Sequence, residues 1–301
     1  MNIGHLTAAA AFLMWGLLPI YWKQLETVPS LQLVAHRVVW SGLTLLPVVW
    51  LSGAWSSIRV HAAQPAILLR QTVAAVLVAA NWLGFVWAVT HGRMIESSLG
   101  YFLTPLATVL LGVLLLGERL RPVQWVAVTL AAVGVAWIAA GYQHFPWIAL
   151  FLAGSFSSYS LVKKTTPLGA VPSLALETLL LLAPAIGYLA VEHAAGRGRF
   201  GTLGPRADLL MAASGLATAA PLLCFATAAR RIPLSTLGLL QYLGPTIQFL
   251  LGSWIYHEPF DRTRLVGFVI VWCALALFVA DSLRRRFASS AGGQPPGPDG
   301  G

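Results

Sequence analysis

The chain contains few charged residues. Asp, Glu, Lys and Arg make up 10% of its 301 residues, whereas soluble domains carry about 25%. Because 57% of the residues are hydrophobic and the mean hydropathy is +0.75, the chain lacks the polar side chains that a water-soluble surface needs. These values predict a protein whose main solvent is lipid.

Cysteine and aspartate are also scarce. The two cysteines, Cys224 and Cys273, lie inside apolar runs, which argues against a structural disulfide. The sequence contains no metal-ligand spacing and no HExxH, GxSxG, Asp-rich or Walker motif. We therefore expect no metal and no cofactor. A membrane-embedded enzyme is disfavoured, because it would need a nucleophile–base pair or a metal cluster.

The formal net charge of +9 does not indicate a nucleic-acid partner. The basic residues stand in pairs between apolar runs, which is typical of membrane-protein loops rather than of a binding face. A signal peptide is not expected either, because residues 1–5 contain no Lys or Arg and the first apolar run is too long and aromatic.

Ten apolar runs approach the length of about 20 residues that a bilayer-spanning helix needs. They cover residues 4–22, 33–52, 71–90, 97–116, 123–141, 146–162, 172–191, 208–228, 235–256 and 264–281. The fold class predicted is an all-α integral membrane protein with ten transmembrane helices. The tail, residues 284–301, is basic and then rich in Ala, Gly and Pro, so it is expected to be disordered.

One stretch of the chain recurs in its second half. Residues 105–118 read PLATVLLGVLLLGE and residues 245–258 read PTIQFLLGSWIYHE. The second copy lies 140 residues after the first, since position 105 corresponds to position 245. We name this shift the repeat offset. Each copy carries a small or polar stripe at i, i+4 and i+8, which is one face of a helix. The stripes consist of Thr104, Thr108 and Gly112, and of Gly244, Gln248 and Gly252. Spacing alone leaves open whether this face packs within the chain or in a homodimer.

The repeat predicts two halves of opposite orientation, residues 1–142 and residues 143–283. Its copies lie in runs four and nine, and an odd number of helices inverts the second half in the membrane. Two inverted five-helix halves are the plan of a secondary transporter, with its substrate site near the midplane.

The distribution of Lys and Arg predicts that both termini are cytoplasmic. With the N-terminus inside, the cytoplasmic segments hold eleven Lys and Arg residues and the outer segments hold seven. An excess of positive charge marks the cytoplasmic side.

Long motifs in both halves point to one family. They read NWLGFVWAVTHGRMIESSLGYFLTPL at 81–106, LGERL at 116–120, ALETLLLL at 175–182, PLLCFATAARR at 221–231 and LSTLGLLQYLGPTIQFLL at 234–251. Together with the His36–Arg37 and Lys163–Lys164 pairs, they resemble the RarD group of EamA-type permeases, in the drug/metabolite transporter superfamily. The resemblance covers about residues 4–283. It implies a ten-helix exporter of the bacterial inner membrane, with helices five and ten peripheral. The group carries a chloramphenicol-sensitivity label.

Five ionisable residues are candidates for gates or charge contacts along a pathway. Arg37 lies about a turn and a half inside run two. Because a central Arg would cost about 2.5–3.5 kcal/mol, Arg37 should face a cavity or a partner. Glu177 is its equivalent by the repeat offset, near the opposite membrane face. The alternative is that both residues extend to their own interface. Lys23 and Lys163 end runs one and six. Each of them either extends to the membrane interface or closes one side of the pathway. His36 is either a packed residue or a proton-coupling group.

Aromatic and amide residues are candidates for the pathway wall. Aromatic walls with a few polar groups suit an amphipathic organic solute, although single aromatics also serve packing or the interfacial belt. Asn81 either joins helices or contacts substrate. The pathway candidates are Trp15, Tyr21, Asn81, Trp82, Tyr101, Phe102, Tyr159, Gln241 and Tyr242.

Three prolines, Pro105, Pro221 and Pro245, lie inside apolar runs. We expect them to kink their helices and to leave carbonyl groups that a cavity can use. Glu118 and Glu258 stand at helix ends. We expect them to be interfacial, paired with a nearby arginine or with the N-terminus of the next helix.

The sequence thus predicts a secondary transporter that exports small amphipathic metabolites or drugs, amino-acid-like or aromatic. Its expected partners are the solute, the lipid bilayer and, for coupling, a proton. An uncoupled facilitator or channel with the same halves stays open, because coupling needs only one protonatable group. A non-transporting receptor is a further alternative, which the absence of any flux would favour.

Overall fold

The computed structural model describes residues 3–90, 94–140, 145–255 and 262–291. Within these ranges all regular structure is helical. The helices are α1 (Ile3–Trp22), α2 (Ser30–Leu51), α3 (Ala54–Ala62), α4 (Pro65–Thr90), α5 (Met94–Leu116), α6 (Pro122–Ala139), α7 (Trp147–Thr165), α8 (Ala170–Ala194), α9 (Pro205–Arg231), α10 (Leu234–Leu240), α11 (Leu243–Leu250) and α12 (Arg262–Ala291).

The helices have the length and the surface of a membrane protein. In the described part, α1, α2, α4, α5, α6, α8 and α9 are long and apolar enough to cross a bilayer, and α12 holds a shorter apolar stretch, Leu265–Asp281. Large apolar side chains cover the outside: Trp50, Leu114 and Leu209 each expose more than 60% of their surface. A surface of this kind is stable only against lipid tails. The expectation of an all-α membrane protein is confirmed.

Three features depart from the predicted runs and tail. Helix α12 continues to Ala291, into the tail 284–301 that was expected to be disordered. The short helix α3 was not predicted, because it is too short to span a membrane. Run nine, predicted as one helix, is broken into α10 and α11 at Gln241 and Tyr242. Pro245 explains the break, since it has no N–H for the carbonyl of Gln241 four residues earlier and its ring crowds that carbonyl. The carbonyl of Gln241 instead accepts a hydrogen bond from the backbone N–H of Gly244 at 3.2 Å.

The starts of the helices repeat along the chain. Helices α2, α4 and α6 begin at Ser30, Pro65 and Pro122, and α8, α9 and α12 begin at Ala170, Pro205 and Arg262. Each of these three pairs of starts is separated by the repeat offset. Helices α6 and α12 pack mainly on each other, with Gly134 and Gly267 at the contact.

The small-residue stripe of α5 packs on α10 of the same chain. A Cβ atom added at Gly238 in α10 would lie 2.7 Å from the carbonyl oxygen of Pro105. Thr108 Oγ1 lies 3.4 Å from Gln241 Oε1. In the second copy, Gly244 faces the backbone of α1 at Phe12. In the described part, the helix contacts that these stripe residues make are therefore within the chain. The surroundings of Gly252, and Glu258 with its expected interfacial role, lie outside the described part of the chain.

Among the described glycines, Gly215 makes the closest contact with another helix, and this contact joins α9 to α2. A Cβ atom added at Gly215 would lie 2.2 Å from the carbonyl carbon of Trp40, and Ser41 Oγ donates to the carbonyl of Gly215 at 3.2 Å. Small residues let two backbones approach in this way. Helices α2 and α9 are thereby fixed against each other.

We predict that Gly215→Ala lowers the stability of the protein by about 1–3 kcal/mol, because the added methyl group must push two backbones apart. Thermal unfolding of the purified protein in detergent measures the effect. Gly154→Ala is the matched control, since a Cβ atom there meets nothing within 4 Å. Unfolding of Gly215→Ala at the wild-type temperature would contradict the prediction.

Candidate functional site

A cavity of about 480 Å³ lies between α1, α2, α4, α5, α7, α9 and α11. It extends from Phe12, halfway along α1, to Glu26 in the connection between α1 and α2. Glu26 is exposed, so the cavity opens there, and we name this side of the molecule the open end. The volume is within the range of small-molecule sites, which is about 300–1,000 Å³.

The cavity wall combines aromatic rings with a few polar groups. Trp15 and Phe156 form one side, with ring centroids 5.7 Å apart, and Phe85 and Tyr101 form another at 5.9 Å. The polar side chains on the wall include Asn81, Thr104, Thr218, Gln241 and Gln248. This composition is typical of sites for amphipathic organic molecules.

Arg37 places a positive charge in the inner part of the cavity. Its Nε donates to Thr218 Oγ1 at 3.0 Å. Its guanidinium carbon lies 4.5 Å from the ring centroid of Trp82 and 4.9 Å from that of Trp22. Among the described side chains, no carboxylate pairs with it. The two rings attract the cation and offset part of the cost of its position within the membrane.

Asn81 both joins helices and lines the cavity. Its Nδ2 donates to the carbonyl of Leu152 and to Ser155 Oγ, both at 2.9 Å, and these bonds tie α4 to α7. The sequence left open whether Asn81 joins helices or contacts substrate. The geometry is compatible with both roles.

A buried ion pair lies at the opposite side of the molecule, which we name the closed end. Lys163 Nζ is 2.5 Å from Glu177 Oε1, and both side chains are at most 2% exposed. Lys163 also donates to Ser173 Oγ at 2.9 Å. Ser173 Oγ lies 2.9 Å from Gln71 Oε1, and Gln71 Nε2 donates to Thr166 Oγ1 at 2.8 Å. These bonds join α7, α8 and α4.

A floor of aromatic rings separates the cavity from this ion pair. Phe225 lies 6.1 Å from Phe12 and 6.0 Å from Tyr159, measured between ring centroids. All three side chains are at most 2% exposed. The hydroxyl of Tyr159 donates to Glu177 Oε2 at 3.3 Å, so the floor is bonded directly to the ion pair below it.

Glu118 forms a second link at the closed end, between the end of α5 and the start of α10. Its carboxylate accepts hydrogen bonds from the backbone N–H groups of Leu234 and Ser235 at 2.5 and 2.8 Å, and from Ser235 Oγ at 2.6 Å. Glu118 was expected to pair with an arginine or with the next helix along the chain. It instead caps the N-terminus of α10, which is distant in sequence.

The predicted pathway residues divide between the cavity and its surroundings. The cavity is lined by five of the pathway candidates, Trp15, Asn81, Trp82, Tyr101 and Gln241. It is also lined by the gate candidate Arg37 and by Pro245. Phe102 packs at the edge of Phe268 with centroids 4.8 Å apart. Tyr242 is 1% exposed, and its hydroxyl donates to the carbonyl of Phe102 at 3.3 Å. The hydroxyl of Tyr21 donates to the carbonyl of Leu210.

The remaining predicted gate residues lie outside the cavity lining. Lys23 is exposed at the end of α1. The ring of His36 faces Phe200, at 5.5 Å between centroids. Pro105 and Pro221 are buried within the continuous helices α5 and α9.

The connection between α8 and α9 covers part of the open end. Gln32 Nε2 donates to the carbonyl of Arg197 at 2.9 Å, and Gln32 Oε1 accepts from the backbone N–H of Arg199 at 3.1 Å. Arg197 forms an ion pair with Glu192 at 2.7 Å. The hydrogen bond to this carboxylate raises the pKa of Arg197 above its usual value.

Sequence reasoning missed several lining residues. Trp22, Phe156 and Thr218 carried no signal that distinguishes them from other membrane residues. Gln248 could have been found, because it follows Gln241 by two helical turns and belongs to the polar stripe.

Comparison with known proteins identifies the family. The pattern of the EamA-like transporter family matches residues 2–140. The chain is 44% identical over 292 residues to "Protein RarD" of Streptomyces exfoliatus, across 96% of this chain and 91% of that protein. The chain belongs to the EamA family. It is also 40% identical over 280 residues to "Protein RarD" of Escherichia coli (strain K12), across 93% and 95% of the two chains.

A solved crystal structure has the same fold as this EamA protein. The TM-score is 0.71 at 20% sequence identity, and the match covers 91% of this chain and 96% of the other. The protein is therefore a multi-pass membrane transporter of the EamA type and not an enzyme.

We predict that Glu177→Leu lowers stability by about 3–5 kcal/mol, because it leaves the ammonium group of Lys163 buried without its carboxylate. Adding Lys163→Met should recover much of this loss, since the second substitution removes the stranded charge. Thermal unfolding of the single and double variants measures both effects. A double variant less stable than Glu177→Leu would contradict the prediction.

Proposed function

We propose that this EamA protein is a secondary transporter that exports small amphipathic solutes across the bacterial inner membrane by alternating access. The cavity carries the proposal: it is open at one end, and at the other it is sealed by the aromatic floor and the Lys163–Glu177 pair. Alternating access requires one state in which the cavity is open to one side of the membrane and a second state in which it is open to the other side.

The course of the helices supports two inverted five-helix halves, residues 1–142 and 143–283. Helix α1 begins at the closed end, where a Cβ atom at Gly4 would lie 2.7 Å from Ile232. Helix α7 ends there, because Lys164 Nζ donates to the carbonyl of Ile232 at 2.6 Å. The two helices therefore run in opposite directions. They are equivalent by the repeat offset, and equivalent helices of an inverted repeat must run in opposite directions.

The basic residues support a cytoplasmic closed end. Lys164, Arg230 and Arg231 lie in the last turns of α7 and α9, both of which end there. Because positive charge accumulates on the cytoplasmic side, the cavity in this state faces the outside. In this orientation α1 begins on the cytoplasmic side, which agrees with the cytoplasmic termini that the distribution of Lys and Arg predicts.

One observation favours the second candidate function, an uncoupled facilitator. His36, which the sequence suggested as a proton-coupling group, faces Phe200 and does not line the cavity. Dependence of flux on an imposed pH gradient distinguishes the two functions.

We predict that purified protein in proteoliposomes moves at least one solute from a panel of labelled amino acids, aromatic metabolites and chloramphenicol. Trp15→Ala should reduce that flux several-fold, because it removes an aromatic wall of the cavity. Leu13→Ala is the matched control on the same helix, since Leu13 is 45% exposed on the outer surface.

Flux that rises with a pH gradient supports a coupled exporter, and flux that ignores the gradient supports the facilitator. No flux for any solute, from protein that is folded by circular dichroism, would contradict the proposed function. Equal flux in Trp15→Ala and wild type would contradict the assignment of the cavity as the pathway.

A further inference from the structure

We propose that the cavity selects organic carboxylates, and that the carboxylate group of the solute pairs with Arg37. The inference rests on the proposed function, because it assigns a substrate class to the same cavity. The class comprises molecules with one carboxylate and an apolar or aromatic body, of a size that fits about 480 Å³.

The guanidinium group of Arg37 is held so that no described residue occupies its hydrogen-bonding edge. The Nε atom is committed to Thr218 Oγ1 at 3.0 Å. In the described residues, no oxygen atom of the protein accepts a hydrogen bond from the two terminal nitrogens. The rings of Trp82 and Trp22, at 4.5 and 4.9 Å, restrict how the group can turn. A fixed guanidinium fork matches the two oxygens of a carboxylate.

The charge of the cavity favours an anion. Among the described lining residues, the charged ones are Arg37 and Glu26, and Glu26 is exposed at the mouth. The inner part therefore carries one positive charge in a region of low dielectric constant. An anion that enters compensates this charge, whereas a neutral or cationic solute leaves it uncompensated.

The aromatic wall continues directly from the charged group. Trp82 touches Arg37 on one side and lines the cavity together with Trp15 and Phe156. A carboxylate bound at Arg37 would therefore hold its own apolar body against these rings. An inorganic anion would use the charge but not the wall, which is why the class is organic.

At one pair of equivalent positions the two ends of the protein carry opposite charges, and this difference gives the carboxylate a second role. At the closed end, Lys163 pairs with Glu177. Their equivalents in the first half, by the repeat offset, are Lys23 and Arg37, so a closure of the open end on the same plan would bring two cations together. A bound carboxylate supplies the negative charge that Glu177 supplies at the other end. Binding should therefore favour closure of the open end.

Equilibrium binding tests the inference without requiring transport. Isothermal titration of the purified protein in detergent would use phenylacetate, hydrocinnamate and phenylalanine, each beside its primary amide. We expect at least one acid to bind about tenfold or more tightly than its amide, as a charge-assisted bidentate pair implies. In Arg37→Gln this preference should fall to about twofold or less. In Arg37→Lys, which keeps the charge but not the fork, it should be intermediate.

Arg59→Gln is the control variant, because Arg59 is an exposed arginine that also lies over a tryptophan, at 5.2 Å from the ring centroid of Trp55. It should keep the wild-type preference. Equal affinity for acids and amides in the wild type, no binding of any acid, or a preference that survives in Arg37→Gln would each overturn the inference. Selective binding of acids by protein that moves no solute in proteoliposomes would instead uphold the inference and contradict the proposed function.

Discussion

The buried pair of Lys163 and Glu177 is the interaction on which the arrangement of this transporter depends. Two opposite charges at 2.5 Å, with a hydroxyl from Tyr159 on the same carboxylate, hold α7 and α8 together beneath the cavity. Because both charges are desolvated, the pair itself adds little net stability, whereas removing either partner alone is costly. Under the proposed alternating access, rupture of this pair would open the cavity to the closed end, because the pair joins elements that seal that end.

The cavity and the ion pair are connected through packed rings. Trp15 and Phe156 form cavity wall, and Phe225 joins them to Tyr159, whose hydroxyl reaches Glu177. Under the proposed alternating access, a solute that moves the wall would therefore act on the hydrogen bonds of the closed end through these contacts. Packed side chains with two discrete arrangements can transmit such a change over this distance. At equivalent positions, the open end has Arg37 and the closed end has Glu177. A solute in the cavity should therefore affect the two ends differently.

Much of the fold could be predicted from the sequence, because bilayer thickness fixes helix length and the repeat fixes the offset between helices. The break in run nine followed from Pro245 in physical terms, although a kink was expected rather than an interruption. The position of Arg37 at a cavity could also be predicted from the sequence, since a cation inside a membrane needs a cavity or a partner. Other residues could not be placed in this way. Tyr159 and Tyr242 resemble wall aromatics in sequence, and only tertiary packing puts the first in the floor and the second against Phe102.

The most direct test of the account compares two positions that the repeat makes equivalent. Val34 lines the open cavity, and Leu174, its equivalent by the repeat offset, is 3% exposed at the closed end. Each would be replaced by cysteine after Cys224 and Cys273 are changed to alanine, and a membrane-impermeant thiol reagent would be applied from each side of oriented vesicles. The account predicts that Val34→Cys reacts from the outside in the absence of solute and that Leu174→Cys reacts only from the cytoplasmic side, during transport. Reaction of both cysteines from the same side, or of Leu174→Cys at a rate that transport does not change, would contradict it.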